Sequence, residues 1–352
     1  MAKHRNNKDK RRGNVRRVSK IGLLVGGFAL AQSVVLATAT ADPTVVFIDG
    51  HNYPGTGARM ANQLTGEYQA PIPCNICTPL QQPTAGTTPY FVQYPADLGW
   101  LDGFGAPTGD QSIAIAQQNL QDYLADHPPS ATNPTTVVGY SEGAVAASHE
   151  VSNWGPGDSV AFVLIADPER PNGGILSRFP AGTRIPFLGI TAGNATPSTD
   201  APVVMVTRQY DGPADAPAYP INGLSDVNAF LGFYYLHSTY DTVDPNDPGN
   251  IVTQSGNMTD ILVPAPEGEL PILMPFGQIG VPQAILVALD PATRALIETG
   301  YARSDDPAQQ VRFGLLPPPS AWAGDVQLVV VGFVKTGQRL PGAVFASVPG
   351  AP

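Results

Sequence analysis

An α/β fold built on a mostly parallel sheet is what this chain predicts, and three observations carry that reading. The strand-like segments are short and wholly apolar, as in TVVFI at 44–48, SVAFVLI at 159–165 and PVVMVT at 202–207. Strands of that composition suit a sheet covered on both faces. Segments with helical spacing alternate with them, the order that produces parallel pairing. The chain has 352 residues and 43% apolar content, enough for one large domain or two small ones.

Taken in order, Thr44 to Ile48 is the first central strand, and it ends at Asp49-Gly50. A loop over 51–57 follows, then a short helix at 58–68 and a Pro/Thr/Gln loop at 69–88. Tyr90 to Tyr94 is a second strand, and 95–109 a Gly-rich loop. Ser112 to Ala125 has Ile113, Ile115, Leu120 and Leu124 on or near one helical face, and His127-Pro128-Pro129 ends it. Thr135 to Val138 is a buried strand, followed by a helix over 142–152, the strand 159–165 and the strand 202–207. Beyond Asp211 the pattern loosens. An aromatic helix over 221–237 leads to His237, apolar runs at 261–263 and 270–274 are divided by prolines, 281–300 is helical around Pro291, and 328–333 is a last apolar run. Three regions result: a leader at 1–41, a core at 42–276, and an extension at 277–352 packed on the core as an elaboration or lid.

Charge is distributed unevenly. Residues 1–20 carry +8, which leaves −18 on residues 21–352. Such a body is repelled by phosphates, so a nucleic-acid partner is excluded. The basic leader is followed by the apolar run Ile21 to Ala37 and by Ala37-Thr38-Ala39 and Ala39-Thr40-Ala41. That order is a secretion signal with a small-residue cleavage site, or a retained membrane anchor if uncleaved. Either way the body is expected outside the cytoplasmic membrane, in the cell envelope or secreted. The cysteines Cys74 and Cys77 lie among prolines, with neither a second pair nor a nearby histidine. A local disulfide pinning a surface loop is expected, and neither a metal nor another cofactor.

The chemistry centres on Gly139-Tyr140-Ser141-Glu142-Gly143, because a strand precedes it and a helix follows. Strand, tight G-x-S-x-G turn and helix is the setting of a nucleophile elbow in an α/β-hydrolase, where the serine hydroxyl is presented at the edge of a sheet. The turn strains the serine backbone, and glycines on both sides let strand and helix approach closely. A serine needs a base, and the base needs an acid to fix its tautomer. Apart from His4 of the leader, the histidines are His51, His127, His149 and His237. His149 is two turns along the helix that starts at the elbow, so His237 is the base that remains downstream. The acid belongs beyond the strand 202–207, which selects Asp211 or Asp215; Asp167, before Pro168, suits a structural role. Oxyanion donors are expected from the Glu142 backbone and from the backbone around Gly50, His51 and Asn52.

Four ordered landmarks then resemble one family: GYSEG, the segment DPERPNGG from Asp167, VTRQYDGPADAPAYP ending at Pro220, and GFYYLHSTY ending at Tyr240. Together they are similar to the PE-PPE domain, a serine α/β-hydrolase domain of mycobacteria akin to cutinases and lipases. The PE or PPE helical modules that often precede the domain do not match this leader. The resemblance implies a Ser, Asp, His triad, with the histidine at His237 and the acid at Asp215 in the Ala-Asp-Ala-Pro step, Asp211 being the alternative. It implies a serine carboxylic ester hydrolase acting on acyl esters or lipids. One alternative is a membrane-associated acyltransferase that moves fatty acyl groups between trehalose-based glycolipids, with a sugar acceptor such as trehalose. The other is a non-catalytic envelope-binding protein.

Overall fold

Seven strands form one twisted sheet in a computed structural model of the chain, which describes residues 44–51, 90–155 and 157–347. These residues belong to one compact unit, Thr40–Pro352. The expectations placed on the leader, on the helix at 58–68 and on Cys74 and Cys77 lie outside the described residues. The large-sheet strands are β1 (Thr44–Ile48), β2 (Tyr90–Phe91), β3 (Thr135–Tyr140), β4 (Val160–Ile165), β7 (Val203–Arg208), β8 (Ile251–Ser255) and β9 (Met258–Val263). Their order is β2-β1-β3-β4-β7-β9-β8. Every pair from β2 to β9 is parallel; the hairpin partner β8 closes one edge antiparallel. A separate small hairpin joins β5 (Thr183–Ile185) to β6 (Ile190–Ala192).

The central strands are apolar throughout because both sheet faces are covered. Val46, Ile48, Val137, Phe162, Leu164 and Met205 point to one face, where helices α1 (Gly109–Asp126) and α2 (Glu142–Glu150) pack on them. Val45, Phe47, Val138, Val163, Ile165 and Val206 alternate to the other face and meet Tyr240 and the loop at Ala214. Helix α1 starts in a capping box: Gln111 N–H donates to Thr108 Oγ1 at 3.3 Å, and Thr108 N–H donates to Gln111 Oε1 at 3.0 Å. Its end at His127 coincides with the expected stop.

The remaining helices are α3 (Gly223–Leu236), α4 (Met274–Gln278), α5 (Gln283–Glu298, with Pro291 inside it) and α6 (Pro319–Ala346). Helix α5 and the turn at Leu270–Leu273 bury Tyr210 and Tyr301 in a satellite cluster. One local expectation is corrected and two apolar runs gain an element. Strand pairing from Tyr90 stops at Phe91, because only those two residues find register partners on β1. The run at 270–274 is a turn leading into α4, because Leu273 and Met274 N–H both return to Leu270 O. The apolar run at 328–333 belongs to the 28-residue helix α6.

Residues beyond 276 are knitted into the core. Ala218 and Tyr219 N–H both donate to Gly300 O, Val311 N–H donates to Pro171 O, and Phe313 N–H donates to Arg178 O. Those bonds fix the position of the Arg303 side chain, which decides the electrostatics of the loop after β7.

Candidate active site

Ser141 sits between the last residue of β3 and the first of α2, with φ 54° and ψ −116°. That is a strained backbone for a residue with a Cβ. Two contacts hold it there. Ser141 N–H donates to Ile165 O of the neighbouring strand at 2.9 Å, and Ser141 O accepts from Ala144 and Val145 N–H as the first helical turn closes. Gly143 has no substitute, because a Cβ there would collide with the carbonyl oxygens of Ile48 and Asp49. The close approach of helix and sheet expected of the elbow is therefore observed.

His237 caps the C-terminus of α3, and its ring reaches back to the elbow. Ser141 Oγ lies 2.9 Å from His237 Nε2. On the far side, His237 Nδ1 is 2.9 Å from both carboxylate oxygens of Asp211. Helix α3 can bring His237 there because Gly232 has no side chain; a Cβ would strike Tyr210 O, in the turn that carries Asp211. Asp211 is completely buried and also accepts a 2.6 Å hydrogen bond from Tyr240 Oη. Tyr240 Oη in turn accepts from Arg208 N–H at 2.9 Å. Burial and the adjacent Asp211 carboxylate hold the Tyr240 phenol well above the usual tyrosine range, so it stays a donor. The His237 backbone is pinned as well: Tyr140 Oη donates to its carbonyl oxygen at 2.5 Å.

The structure corrects the choice of acid. Asp215 does not face His237. Its Oδ1 meets Arg303 Nη1 at 2.5 Å and Arg170 Nη1 at 3.4 Å, and its Oδ2 accepts Tyr210 N–H at 2.8 Å. Burial alone would raise the Asp215 carboxyl, but Arg303 and then Arg170 outweigh it and hold the group below the usual carboxylate value. Asp215 is thus a structural ion-pair centre that shapes the turn at Tyr210, and Asp211 is the acid beside the histidine. Arg303 lies 88 residues after Asp215, so no local spacing reveals the pairing.

The donor side is partly as expected. Glu142 is the first residue of α2, a position whose amide has no acceptor within the helix. The Gly50 amide is not available, because it donates to Asp49 Oδ1 at 2.7 Å. His51 follows it, its ring Nε2 3.4 Å from Asp102 Oδ1 and its Nδ1 3.9 Å from Glu142 Oε2. Asn52 lies outside the described residues. Among the described residues neither Glu142 carboxylate oxygen has a partner within strict hydrogen-bond geometry, and burial, only partly offset by the nearby Ser112 hydroxyl, pushes this group up to about 8.

The other histidines and Asp167 lie apart from the elbow's hydrogen-bond chain. His149 Nε2 is 3.0 Å from Glu169; burial opposes its charge, but that carboxylate outweighs burial and raises the imidazole. His127 bonds back to Tyr123 O at the end of α1. Asp167 is buried against Thr196 Oγ1 and Glu169 N–H, and burial raises it to about 7. Two residues that bear directly on the site escaped the sequence reading. Tyr240 and Tyr140 orient the acid and the histidine through their hydroxyls, and only their positions within the motifs GFYYLHSTY and GYSEG set them apart. Among the described residues no group of three or more His, Cys, Asp or Glu is arranged to hold a metal ion.

Comparison with known proteins finds a matching family and several relatives. The family model for the PE-PPE domain matches residues 85–302. Esterase PE16 of Mycobacterium tuberculosis is 39% identical over 223 residues, 60% of this chain and 41% of that protein. The diacyltrehalose acyltransferase Chp2 of the same organism is 27% identical over 239 residues, 61% of this chain and 66% of that one. Among solved structures, a cutinase-like protein from Cryptococcus sp. overlaps 50% of this chain and 81% of its own, at 19% identity and a TM-score of 0.30. The chain spans less than half the length of the PE and PPE relatives that it matches at 34–39% identity. With the family model covering most of the described chain, and with the elbow, the histidine turn and the acid loop all inside it, this chain belongs to the PE-PPE domain family.

Proposed function

We propose that the protein is a serine carboxylic ester hydrolase that works through an acyl-enzyme on Ser141. The observation that carries this reading is the continuous hydrogen-bonded line from Ser141 Oγ through His237 to Asp211. A serine in this setting loses its proton to His237 Nε2 as Oγ attacks an ester carbonyl. Asp211 keeps the other ring nitrogen protonated and stabilises the imidazolium that forms. The tetrahedral oxyanion is met by the Glu142 amide at the positive end of α2, with the His51 amide as second donor. Collapse expels the alcohol, which takes the proton back from His237. Water repeats the cycle and frees the acid. The similarity to Esterase PE16 supports the reaction class. The basic and apolar leader supports action outside the cytoplasmic membrane.

A second reading, acyl transfer to a sugar hydroxyl, is favoured by one observation, the similarity to an acyltransferase named for diacyltrehalose. In that reading an acceptor hydroxyl replaces water in the second half-reaction. Intact-mass analysis of protein pulsed with a short p-nitrophenyl ester, with and without trehalose, separates the two. Hydrolysis predicts a transient acyl adduct, absent from Ser141→Ala, and free acid in amounts that ignore the sugar. Acylated trehalose formed at the expense of free acid makes the protein a transferase. A folded protein that forms no adduct and turns nothing over is a binding protein.

A further inference from the structure

Helix α6 is built inside out. Its inner edge mixes small and hydroxyl residues with Leu328 and Val331: Gly332 lies against Pro291 of α5, where a Cβ would come within 2.5 Å of the Pro291 carbonyl oxygen, and Thr336 Oγ1 accepts Ala292 N–H at 3.1 Å. At 100° per residue, its three charged residues, Asp325, Lys335 and Arg339, all fall within about 60° of Gly332. Arg339 is there paired with Glu267 at 3.2 Å. The opposite arc holds Val326, Val330, Phe333, Val334, Val344 and Phe345, all large, uncharged and about half exposed. An ordinary surface helix has the reverse pattern, apolar toward the protein and charged toward water. A contiguous outward apolar strip of this kind marks a binding face.

The dimensions and the charge decide what it binds. From Val326 to Phe345 the strip is about 29 Å long and about 10 Å wide, so pairing with a second copy covers a footprint of about 600 Å² in total. That is below the roughly 1,200 Å² at which specific, stable interfaces begin. A lipid surface demands no shape complement, and it rewards an apolar strip that lies flat in the headgroup region. Anionic lipid is disfavoured, because the body carries −18 and the two cations of the helix point away from the strip. Among the described residues no helix is long and apolar enough to cross a membrane. We propose that α6 is a docking helix that seats the domain on a neutral lipid surface through Val330, Phe333 and Val334. This surface lies beyond residue 302, outside the segment that the family model matches.

Trp322 stands near the start of α6, half exposed, and reports on it. The full chain is mixed with phosphatidylcholine vesicles carrying brominated acyl chains, and the quenching that disappears in Trp322→Phe is the α6 signal. The expected result is quenching of Trp322, lost or weakened about tenfold in vesicle concentration by Val330→Asp/Val334→Asp. Both residues face outward, and an unchanged thermal melt shows that the variant is folded. Vesicle binding with Trp322 unquenched overturns the proposal, as does quenching that the double variant leaves intact. Sedimentation velocity without lipid is the second arm: a doubled mass that the double variant returns to monomer assigns the strip to a second copy instead.

Discussion

Asp211 and Asp215 stand four residues apart in one loop, both fully buried, yet they serve opposite ends. Asp215 is surrounded by permanent cations, Arg303 and Arg170. Among the described residues Asp211 has no guanidinium partner; its neighbours are an imidazole and a phenol, which can hold a carboxylate without cancelling its charge. A neutralised carboxylate braces a turn. One left with donors alone can stabilise a cation that forms only during reaction. The lesson is that the partner set, more than burial or position in the loop, assigns an acidic residue its task.

Exchanging the two roles by substitution breaks the comparison most directly. Asp211→Asn is expected to lower kcat by about 10⁴-fold with the fold retained, since an amide no longer fixes the imidazole tautomer. Steady-state ester hydrolysis beside a thermal melt checks it; an Asp211→Asn protein that keeps near-native kcat assigns the acid elsewhere. Asp215→Asn is expected to do the reverse. It removes the anion that buried Arg170 and partly exposed Arg303 share, while Asp260 and Glu298 still pair with them, at a cost of about 2 kcal/mol in unfolding free energy, with kcat per folded molecule nearly unchanged. The pH dependence has a definite sign. A depressed folded-state carboxyl contributes stability above its ordinary value of 3.8 and loses it as pH falls through the folded value. The wild-type advantage over Asp215→Asn therefore shrinks in acid, and urea melts from pH 7 downward measure it.

Smaller changes sharpen the contrast. Tyr240→Phe removes the second donor to Asp211 and should reduce kcat/KM by about tenfold, in line with a hydrogen bond to a charged group. Loss of the same size on an inert stability assay, with kcat untouched, would make Tyr240 a packing residue only. Glu142→Gln addresses a third buried carboxyl, one that faces the His51 ring at 3.9 Å and, among the described residues, no arginine or lysine. Its folded value of about 8 exceeds its ordinary 4.5, so the folded state holds a proton that the unfolded chain has released. The associated stability is complete below about pH 4.5 and is lost as pH rises toward 8. Glu142→Gln should flatten that decline, read as denaturation midpoints at pH 5 and pH 8.

The sheet and the serine–histidine pair were legible because their signals are local. Parallel strands buried on both faces must be apolar, so TVVFI matched β1 residue for residue. The elbow announces itself by a strand, two glycines and a helix within a dozen residues, and His237 followed by elimination. The acid was not legible, because both aspartates follow the same strand and the distinguishing cation arrives from Arg303, after α5. Strands β8 and β5 escaped because their residues are largely exposed or half-buried and mixed in polarity, and β6 because it is only three residues long. Helix α6 was visible only as an apolar run, since its outward face lacks the charge that marks a helix's solvent side.

The Tyr240 hydroxyl has one further consequence. Its oxygen accepts the Arg208 amide and its proton is committed to Asp211, so the carboxylate meets two donors in a fully buried cul-de-sac. Among the described residues no side chain continues the line from the imidazole through Asp211 beyond Tyr240. In the proposed reaction, a proton lifted from Ser141 stays on the ring until a leaving group arrives on the serine side to claim it. Proton traffic in this fold is a shuttle with a single stop.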